Sequence, residues 1–560
     1  MAAPAAAPLP AQSGAPAVAP AGVQPPAPQA PAGFQVDTLQ SVEADTVGAL
    51  APGERALALS MWAGTPRPIA ERLLGLLPSA PASRALFDLQ RRLLLSASLN
   101  PEGAAGETRI VVLRAEKLLQ MGDLIGVNRL LQSIPQRDVD DRLARLKVDA
   151  AWLVDDVAGG CAEVRRNLAR SRAEVWQRGQ AFCLMLDGDK EKADLAARLL
   201  PEQGFAEDAT FTMLMDALAG NERARLASLV QPRPLDLAML RAAHRPIPAD
   251  AASSRDLRLM AAIALSVNAE GPIRLAAGER IEAAGAWSPG DLQKLYASVE
   301  VAPEALANAV SAAEMDKGPW GRAILWQAVR QKDSAPARTP FIERALALAG
   351  SPQAYAQQAR LYAADLAALE PRGELLGLAA TLARALEAAG RADAAQRWIG
   401  MLEAEAPRLP DARRALDGLW LLNTLAQPSA GAWQQERFES WRRSLKGTEA
   451  ETEPRIATAL ILIEASGQKV PPLLWRDLVT LTTRRPAALP PAGLLPALAA
   501  ASDERRLAES VALAEIALGE TALAEQPAMV LGFLVQRLRA VDFAEEARAF
   551  ALEAAIAAGL

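Results

Sequence analysis

The chain has 560 residues, which is too long for one ordinary compact core and favours several domains or one elongated repeat array. Its net charge of −6 is spread over 60 basic and 66 acidic residues without a basic stripe, so nucleic acid is not an expected partner. Two cysteines and one histidine are too few for a four-ligand zinc site within one chain, although carboxylate sites for Mg²⁺ or Ca²⁺ are not excluded.

The composition predicts an all-α fold. Apolar residues make up 51% of the chain, but aromatic residues make up only 4%, and most of the apolar residues are Ala and Leu. These two residues are strong helix formers and poor strand formers. No run of residues alternates cleanly between apolar and polar side chains, as a half-buried strand would require.

The N-terminal segment differs in composition from the rest. Residues 1–33 contain 13 Ala and 9 Pro, and the first charged residue is Asp37, so we expect a disordered arm over residues 1–36. The segment has neither the basic nor the apolar region of a signal peptide, which indicates a cytoplasmic protein. A neutral Ala/Pro arm also follows the signal-peptidase site in many exported bacterial proteins. If Met1 is not the true start, the protein is periplasmic.

Beyond the arm, amphipathic segments of ten to twenty residues alternate with short turns rich in Gly, Pro, Asp or Ser. Proline-rich breaks divide them into an N-terminal helical region at 37–232, a middle region at 233–350 and a C-terminal region at 351–560. No uncharged stretch of about 20 residues lacks proline, so we expect no transmembrane helix. The sequence does not indicate which oligomeric state the protein has.

A repeat pattern is clearest at 376–407. Leu382, Gly390, Ala395 and Pro407 occupy the positions of the packing Leu, the inter-helix Gly, the small residue and the terminal Pro of a tetratricopeptide repeat, which this unit resembles. Gly390 allows the chain to reverse after the first helix. Ala395 allows the second helix to approach closely, and Pro407 ends that helix.

Weaker copies of the unit centre on Gly122, Gly188 and Gly220, which are 66 and 32 residues apart, close to two periods and one period of the repeat. The unit at 376–407 departs from the pattern at Ala379 and Leu386, where the family has Trp and Tyr. The resemblance implies tandem antiparallel helix pairs in a superhelical solenoid. Each layer would contact only its neighbours and leave a concave binding surface.

The function that this resemblance implies is a non-catalytic scaffold with a protein or peptide ligand. We predict no catalytic residue, cofactor or metal ligand. An alternative is a periplasmic, peptidoglycan-associated factor similar to the helical-repeat domains of some lytic transglycosylases and of activators of peptidoglycan synthesis. No segment departs from the helical pattern to supply a catalytic domain, so this alternative is also non-catalytic.

A third alternative is an all-α enzyme of the cyclase type. Asp138, Asp140 and Asp141 form a D-x-D-D string, which resembles the protonating motif of class II terpene cyclases. Those enzymes line their cavities with aromatic residues, which are scarce here. The simpler interpretation is an acidic helix N-terminus, which the helix dipole favours.

Cys161 and Cys183 are separated by 22 residues, which we interpret as one helix, a turn and the start of the next helix. The two thiols would form a disulfide in an oxidising compartment and remain free in the cytoplasm, and the sequence leaves both alternatives open. His244 lies in a turn-like stretch with no supporting motif. The aromatic residues at 320–326 and 433–441 are expected in the core in preference to a binding groove.

Overall fold

The computed structural model describes residues 43–50, 53–427, 433–479 and 489–560. Within these residues every regular element is an α-helix or a short 3₁₀ helix, which confirms the all-α prediction for this part of the chain. The arm predicted at 1–36 lies outside the described residues.

The helices of the first part of the chain are α1 (Arg67–Leu76), α2 (Arg84–Leu95), α3 (Ile110–Gln120), α4 (Leu124–Ser133), α5 (Asp141–Leu153), α6 (Val157–Leu168), α7 (Glu174–Leu186), α8 (Lys190–Glu202), α9 (Ala209–Leu218), α10 (Pro234–Ala242), α11 (Leu257–Leu265), α12 (Gly271–Ala284), α13 (Pro289–Ser298), α14 (Pro303–Ala307) and α15 (Ala309–Met315). Short 3₁₀ helices occur at Ala44–Thr46, Gln136–Asp138 and Ala249–Ser253.

The remaining helices are α16 (Pro319–Arg330), α17 (Ala335–Ala347), α18 (Pro352–Leu361), α19 (Ala363–Ala367), α20 (Ala379–Ala388), α21 (Ala392–Glu405), α22 (Pro410–Ala426), α23 (Gln435–Ser444), α24 (Glu449–Ala465), α25 (Pro472–Asp477), α26 (Leu494–Asp503), α27 (Leu507–Leu518), α28 (Ala528–Ala540) and α29 (Ala544–Ala557). Two further 3₁₀ helices lie at Gly373–Leu378 and Leu523–Glu525.

Six pairs of consecutive helices in the described residues share one kind of connection, a three-residue turn whose middle residue has a positive φ. The last turn residue donates its backbone N–H to the carbonyl of the third-last residue of the first helix, over 2.8–3.1 Å in all six. This is the Schellman arrangement, which reverses the chain and satisfies a free helix-end carbonyl. The middle residues are Gly122, Asp155, Gly188, Gly390, Arg505 and Asp542.

Three of these turns are evenly spaced along the chain. Gly122, Asp155 and Gly188 are 33 residues apart, so Asp155 marks a unit halfway between the two glycines of the sequence pattern. Gly220 also has a positive φ, but the residues that follow it form no helix before α10. The repeated unit therefore stops after α8, and α9 packs mainly on α10.

The first and last helices of the described chain pack on one another. The α2 helix contacts both α27 and α29, and α1 contacts α27. Each layer was expected to contact only its neighbours, and that expectation is wrong for these helices. The reason lies in α29, which buries Phe550, Leu552 and Ile556 together with five alanine or glutamate positions around its circumference. A helix that is apolar on several sides cannot form the exposed end of an open stack.

A buried carboxylate ties three distant helices together. Glu282, near the end of α12, forms ion pairs with Arg84 of α2 at 2.9 Å and with Arg360 of α18 at 3.0 Å. Gln357, also on α18, donates to the same carboxylate at 2.8 Å. A buried carboxylate without partners would destabilise the fold. The negative charge of Glu282 is compensated, because all of its partners are charged or polar donors.

Packing continues across the two boundaries expected between the helical regions. The α9 and α10 helices contact each other on either side of 232/233, and α17 and α18 do so on either side of 350/351. The division at 37–232, 233–350 and 351–560 stays a prediction. Within the described part of the chain, no helix combines the length and the apolar character needed to cross a bilayer.

Candidate functional site

The two cysteines lie on consecutive helices. Cys161 of α6 and Cys183 of α7 form a disulfide, with their Cα atoms 5.7 Å apart. Both side chains are buried, and α6 and α7 pack against each other. The bond closes a loop that contains the connection from α6 to α7, which joins the helix pair α5–α6 to the helix pair α7–α8.

The four repeat-packing residues lie around the turn between α20 and α21. Leu382 and Ala395 are buried on facing helices, which pack closely. Gly390 is the middle residue of the turn, with a φ of +70°, and Arg391 donates to the Leu386 carbonyl at 2.8 Å. Pro407 is exposed and lies just beyond the end of α21.

The acidic string has ordinary structural partners. Asp140 caps α5 by accepting the Leu143 amide hydrogen at 2.8 Å and pairs with Arg109. Asp141 accepts the indole hydrogen of Trp176 at 3.1 Å. Asp138 ends a 3₁₀ helix and remains half-buried. These contacts fit the interpretation of the string as a helix N-terminus.

The positions of the lone histidine and of two of the aromatic residues fit structural roles. His244 is exposed at the end of α10, with a φ of +52°, in the same type of turn as the glycines. Phe438 and Trp441 are buried against Trp420 of the neighbouring helix, with ring centroids 5.9 and 5.6 Å from that of Trp420.

A concave groove lies between α8 and α9, and we call it the α8–α9 groove. It encloses about 1280 Å³. Pro201 lies in the last turn of α8, and the chain then runs through a short connection before α9 begins. The turn that ends α8 has Gly204 at its middle, with a φ of +88°, and Phe205 donates its backbone N–H to the Leu200 carbonyl at 3.2 Å, so the chain turns away from the axis of α8 before α9 begins.

Apolar side chains form the floor of the groove. Met185, Leu200, Phe211 and Met215 are all buried there, whereas Met213 is 36% exposed at its edge. Methionine is flexible and polarisable, and surfaces rich in it adapt to ligands of different shape. The floor can therefore accept apolar side chains without a rigid fit.

Both ends of α9 are tied to neighbouring elements. Asp208 caps the N-terminus by accepting the Phe211 amide hydrogen at 2.9 Å, and it pairs with Arg178 and with Arg233. Burial alone would raise the pKa of Asp208, but the Phe211 hydrogen bond and the Arg233 charge together lower it. At the other end, Lys190 donates to the Ala219 carbonyl at 3.3 Å.

The rim of the groove carries charges of both signs. Arg198 pairs with Asp194 along α8, at 2.9 Å. Asp216 and Arg223 are exposed on the rim and have no ion-pair partner in the part of the chain that the structure describes. A rim of this kind offers separate positive and negative contacts to a ligand that carries both.

The sequence pattern does not predict this groove. Its position is signalled only by Pro201, which closes the unit around Gly188 early, and by Gly220, whose turn lacks a following helix. No protein-family model, no curated protein and no solved structure matches the chain, so no family is assigned to it.

Proposed function

We propose that the chain is a non-catalytic helical scaffold that binds a peptide segment of a partner protein in the α8–α9 groove. The observation that carries the proposal is the groove itself, with its methionine-rich floor and its rim of both charges. Its volume of about 1280 Å³ exceeds that of most small-molecule pockets, which measure roughly 300–1,000 Å³. A ligand that fits is a peptide with one or two apolar anchors flanked by charged residues of both signs.

The arrangement of the helices before the groove supports a tetratricopeptide-like stack as the scaffold. Three turns of the same geometry recur every 33 residues between α3 and α8. That spacing is close to the 34-residue period of the repeat. A ligand at the end of such a stack would contact side chains from more than one repeat, as is common in helical-repeat proteins.

The experiment is a selection of peptides from a random library displayed on phage, using the immobilised full chain. Selected peptides are then tested against two variants, Met213→Glu in the groove and Met529→Glu as its control. Met529 is also an exposed methionine on a helix, 71% accessible, but it lies on α28. We expect Met213→Glu to abolish binding and Met529→Glu to leave it unchanged. Binding that survives Met213→Glu would contradict the proposal.

The second candidate function is that of a periplasmic, peptidoglycan-associated helical factor, and the Cys161–Cys183 disulfide favours it. Disulfides persist in oxidising compartments and are rare in the cytoplasm. The test is co-sedimentation of the full chain with purified peptidoglycan, before and after treatment with reductant. Binding of the oxidised chain would support this candidate, and the absence of binding would leave the peptide scaffold alone.

A further inference from the structure

A second concave site lies where five helices meet, far along the chain from the α8–α9 groove. Its walls come from the start of α2, the end of α12, the face of α18, the end of α20 and the last turns of α29. The cavity measures about 350 Å³ and most of its wall consists of alanine side chains with Leu523, Leu552 and Ile556. The size suits a small ligand with an apolar body.

One charged side chain in this wall has no partner. Glu387, in the last turn of α20, is 2% exposed, and neither of its carboxylate oxygens has a hydrogen-bond partner in the described residues. Unpartnered buried carboxylates are costly, since burial removes water without supplying another donor. Burial accordingly raises the pKa of Glu387 to about 8.

The other charged groups of the wall are already engaged. Arg84 and Arg360 both pair with Glu282. Glu553 accepts hydrogen bonds from Ser83, Arg84 and Ala85 at the start of α2. Glu520 accepts from the Ser79 and Ala80 backbone amides. Glu387 is therefore the charged group that remains for a ligand.

The helix ends at the cavity also favour a positive ligand. The C-terminal turns of α12, α20 and α29 all contribute to the wall, and a helix C-terminus carries partial negative charge. The two N-termini at the cavity, which would attract an anion, are capped by side chains, by Glu553 at α2 and by Ser351 at α18. The helix ends are therefore compatible with a cation, and the unpartnered Glu387 carboxylate is the group that favours one.

We infer that this cavity binds a primary aliphatic amine, whose ammonium group pairs with the Glu387 carboxylate while its alkyl chain packs on the alanine-rich wall. The inference is independent of the peptide groove, because the two sites share no residue. Binding supplies the donors that Glu387 lacks. A bound ammonium also makes ionisation of that carboxyl favourable, so the amine displaces a proton from it.

The test is isothermal titration calorimetry of the full chain at pH 7 with n-hexylammonium chloride, compared with the neutral n-hexanamide. We expect the ammonium ion to bind about tenfold or more tightly than the amide, because only the ion forms a charge pair. Glu387→Gln should remove this preference, and Glu387→Asp should retain it. Glu525→Gln is the matched control, since Glu525 is exposed beside the cavity and does not line it.

Three results would overturn the inference: no binding of hexylammonium up to its solubility limit, equal affinity for the ammonium ion and the amide, or an unchanged preference in Glu387→Gln. A capped tripeptide with a central lysine distinguishes two sources of the amine. If the tripeptide binds more weakly than hexylammonium, the ligand is a free small amine. If the two bind equally, the ligand is the lysine side chain of a protein, which makes the same contact with Glu387.

Discussion

Ser83 donates its hydroxyl hydrogen to the carboxylate of Glu553 over 2.6 Å, although 470 residues separate them in the sequence. Glu553 also accepts the backbone N–H groups of Arg84 and Ala85, each at 3.0 Å. The N-terminus of α2 is thus capped by a side chain of α29 as well as by Ser83 itself, whose hydroxyl accepts the Leu86 amide hydrogen. The relationship joins the first helices to the last.

We predict that Ser83→Ala destabilises both ends of the chain together. Loss of the cap should cost about 1–2 kcal/mol and speed amide hydrogen exchange in α2 and α29 alike. Ser351→Ala is the control, because Ser351 caps α18 through a local bond to the Ala354 amide only. It should cost about 1 kcal/mol and leave α29 unchanged. Unchanged exchange in α29 of the Ser83 variant would show that the contact does not couple the helices.

A second prediction concerns the turns between helix pairs. Gly390→Ala should destabilise the chain by about 1 kcal/mol, because a Cβ atom is strained at positive φ even though nothing lies within 4 Å of it. Gly122→Ala should cost more, since its Cβ would lie 2.8 Å from the Leu257 carbonyl oxygen.

The control for this series is Gly400→Ala, in the interior of α21, where a Cβ also meets nothing within 4 Å and no positive φ occurs. It should stabilise the chain by about 0.5–1 kcal/mol through helix propensity. Urea denaturation of the three variants measures their free energies of unfolding and so gives their order of stability. A Gly390 variant as stable as the Gly400 variant would show that the turn at Gly390 does not require a left-handed residue.

A third prediction follows from the pKa of Glu387, which burial raises from 4.5 to about 8. The folded state then holds the proton more tightly than the unfolded state, so the stability this group contributes is complete below pH about 4.5 and is lost as the pH rises toward 8. The difference in unfolding free energy between Glu387→Gln and the wild type should grow in favour of the variant by on the order of 3 kcal/mol between pH 5 and pH 8.

Urea denaturation at a series of pH values gives this difference directly, and contributions from other titrating groups cancel in it. Glu525→Gln, which removes an exposed carboxylate, is the matched control. Parallel curves for Glu387→Gln and the wild type would mean that Glu387 is solvated or has found a partner.

A fourth prediction concerns the disulfide. Replacing Cys161 and Cys183 with serine together should lower the free energy of unfolding by about 3 kcal/mol, because the bond closes a loop with a sequence separation of 22 residues. The thiols of protein from its native host, blocked by alkylation before lysis, report whether the bond forms there. If Cys161 and Cys183 escape alkylation, they are disulfide-bonded, which indicates an exported protein. If both are alkylated, their thiols are free, which indicates a cytoplasmic protein.

The sequence predicted the all-α fold because Ala and Leu dominate and fall at helical spacing. It also located the turns at Gly122, Gly188 and Gly390, since glycine readily adopts positive φ. The left-handed conformation at Asp155, Arg505 and Asp542 was not predicted, because residues other than glycine adopt a positive φ only rarely. Their positions are set by the packing of the helices on either side.

The sites were harder to predict than the fold. Glu387 falls four and eight residues after Ala383 and Ala379, on the buried side of α20, which is a signal that a pattern search could use. The α8–α9 groove depends on how far α9 lies from α8, which no local pattern specifies. The contact between α2 and α29 joins residues at opposite ends of the chain, and sequence periodicity contains no information about it.

Hydrogen–deuterium exchange of the full chain, with and without a peptide selected from the random library, tests whether a peptide binds in the α8–α9 groove. We expect the peptide to slow exchange in α8 and α9 and to leave exchange unchanged in α26–α29, which lie outside the groove. Protection confined to other helices, with none in α8 or α9, would contradict this expectation.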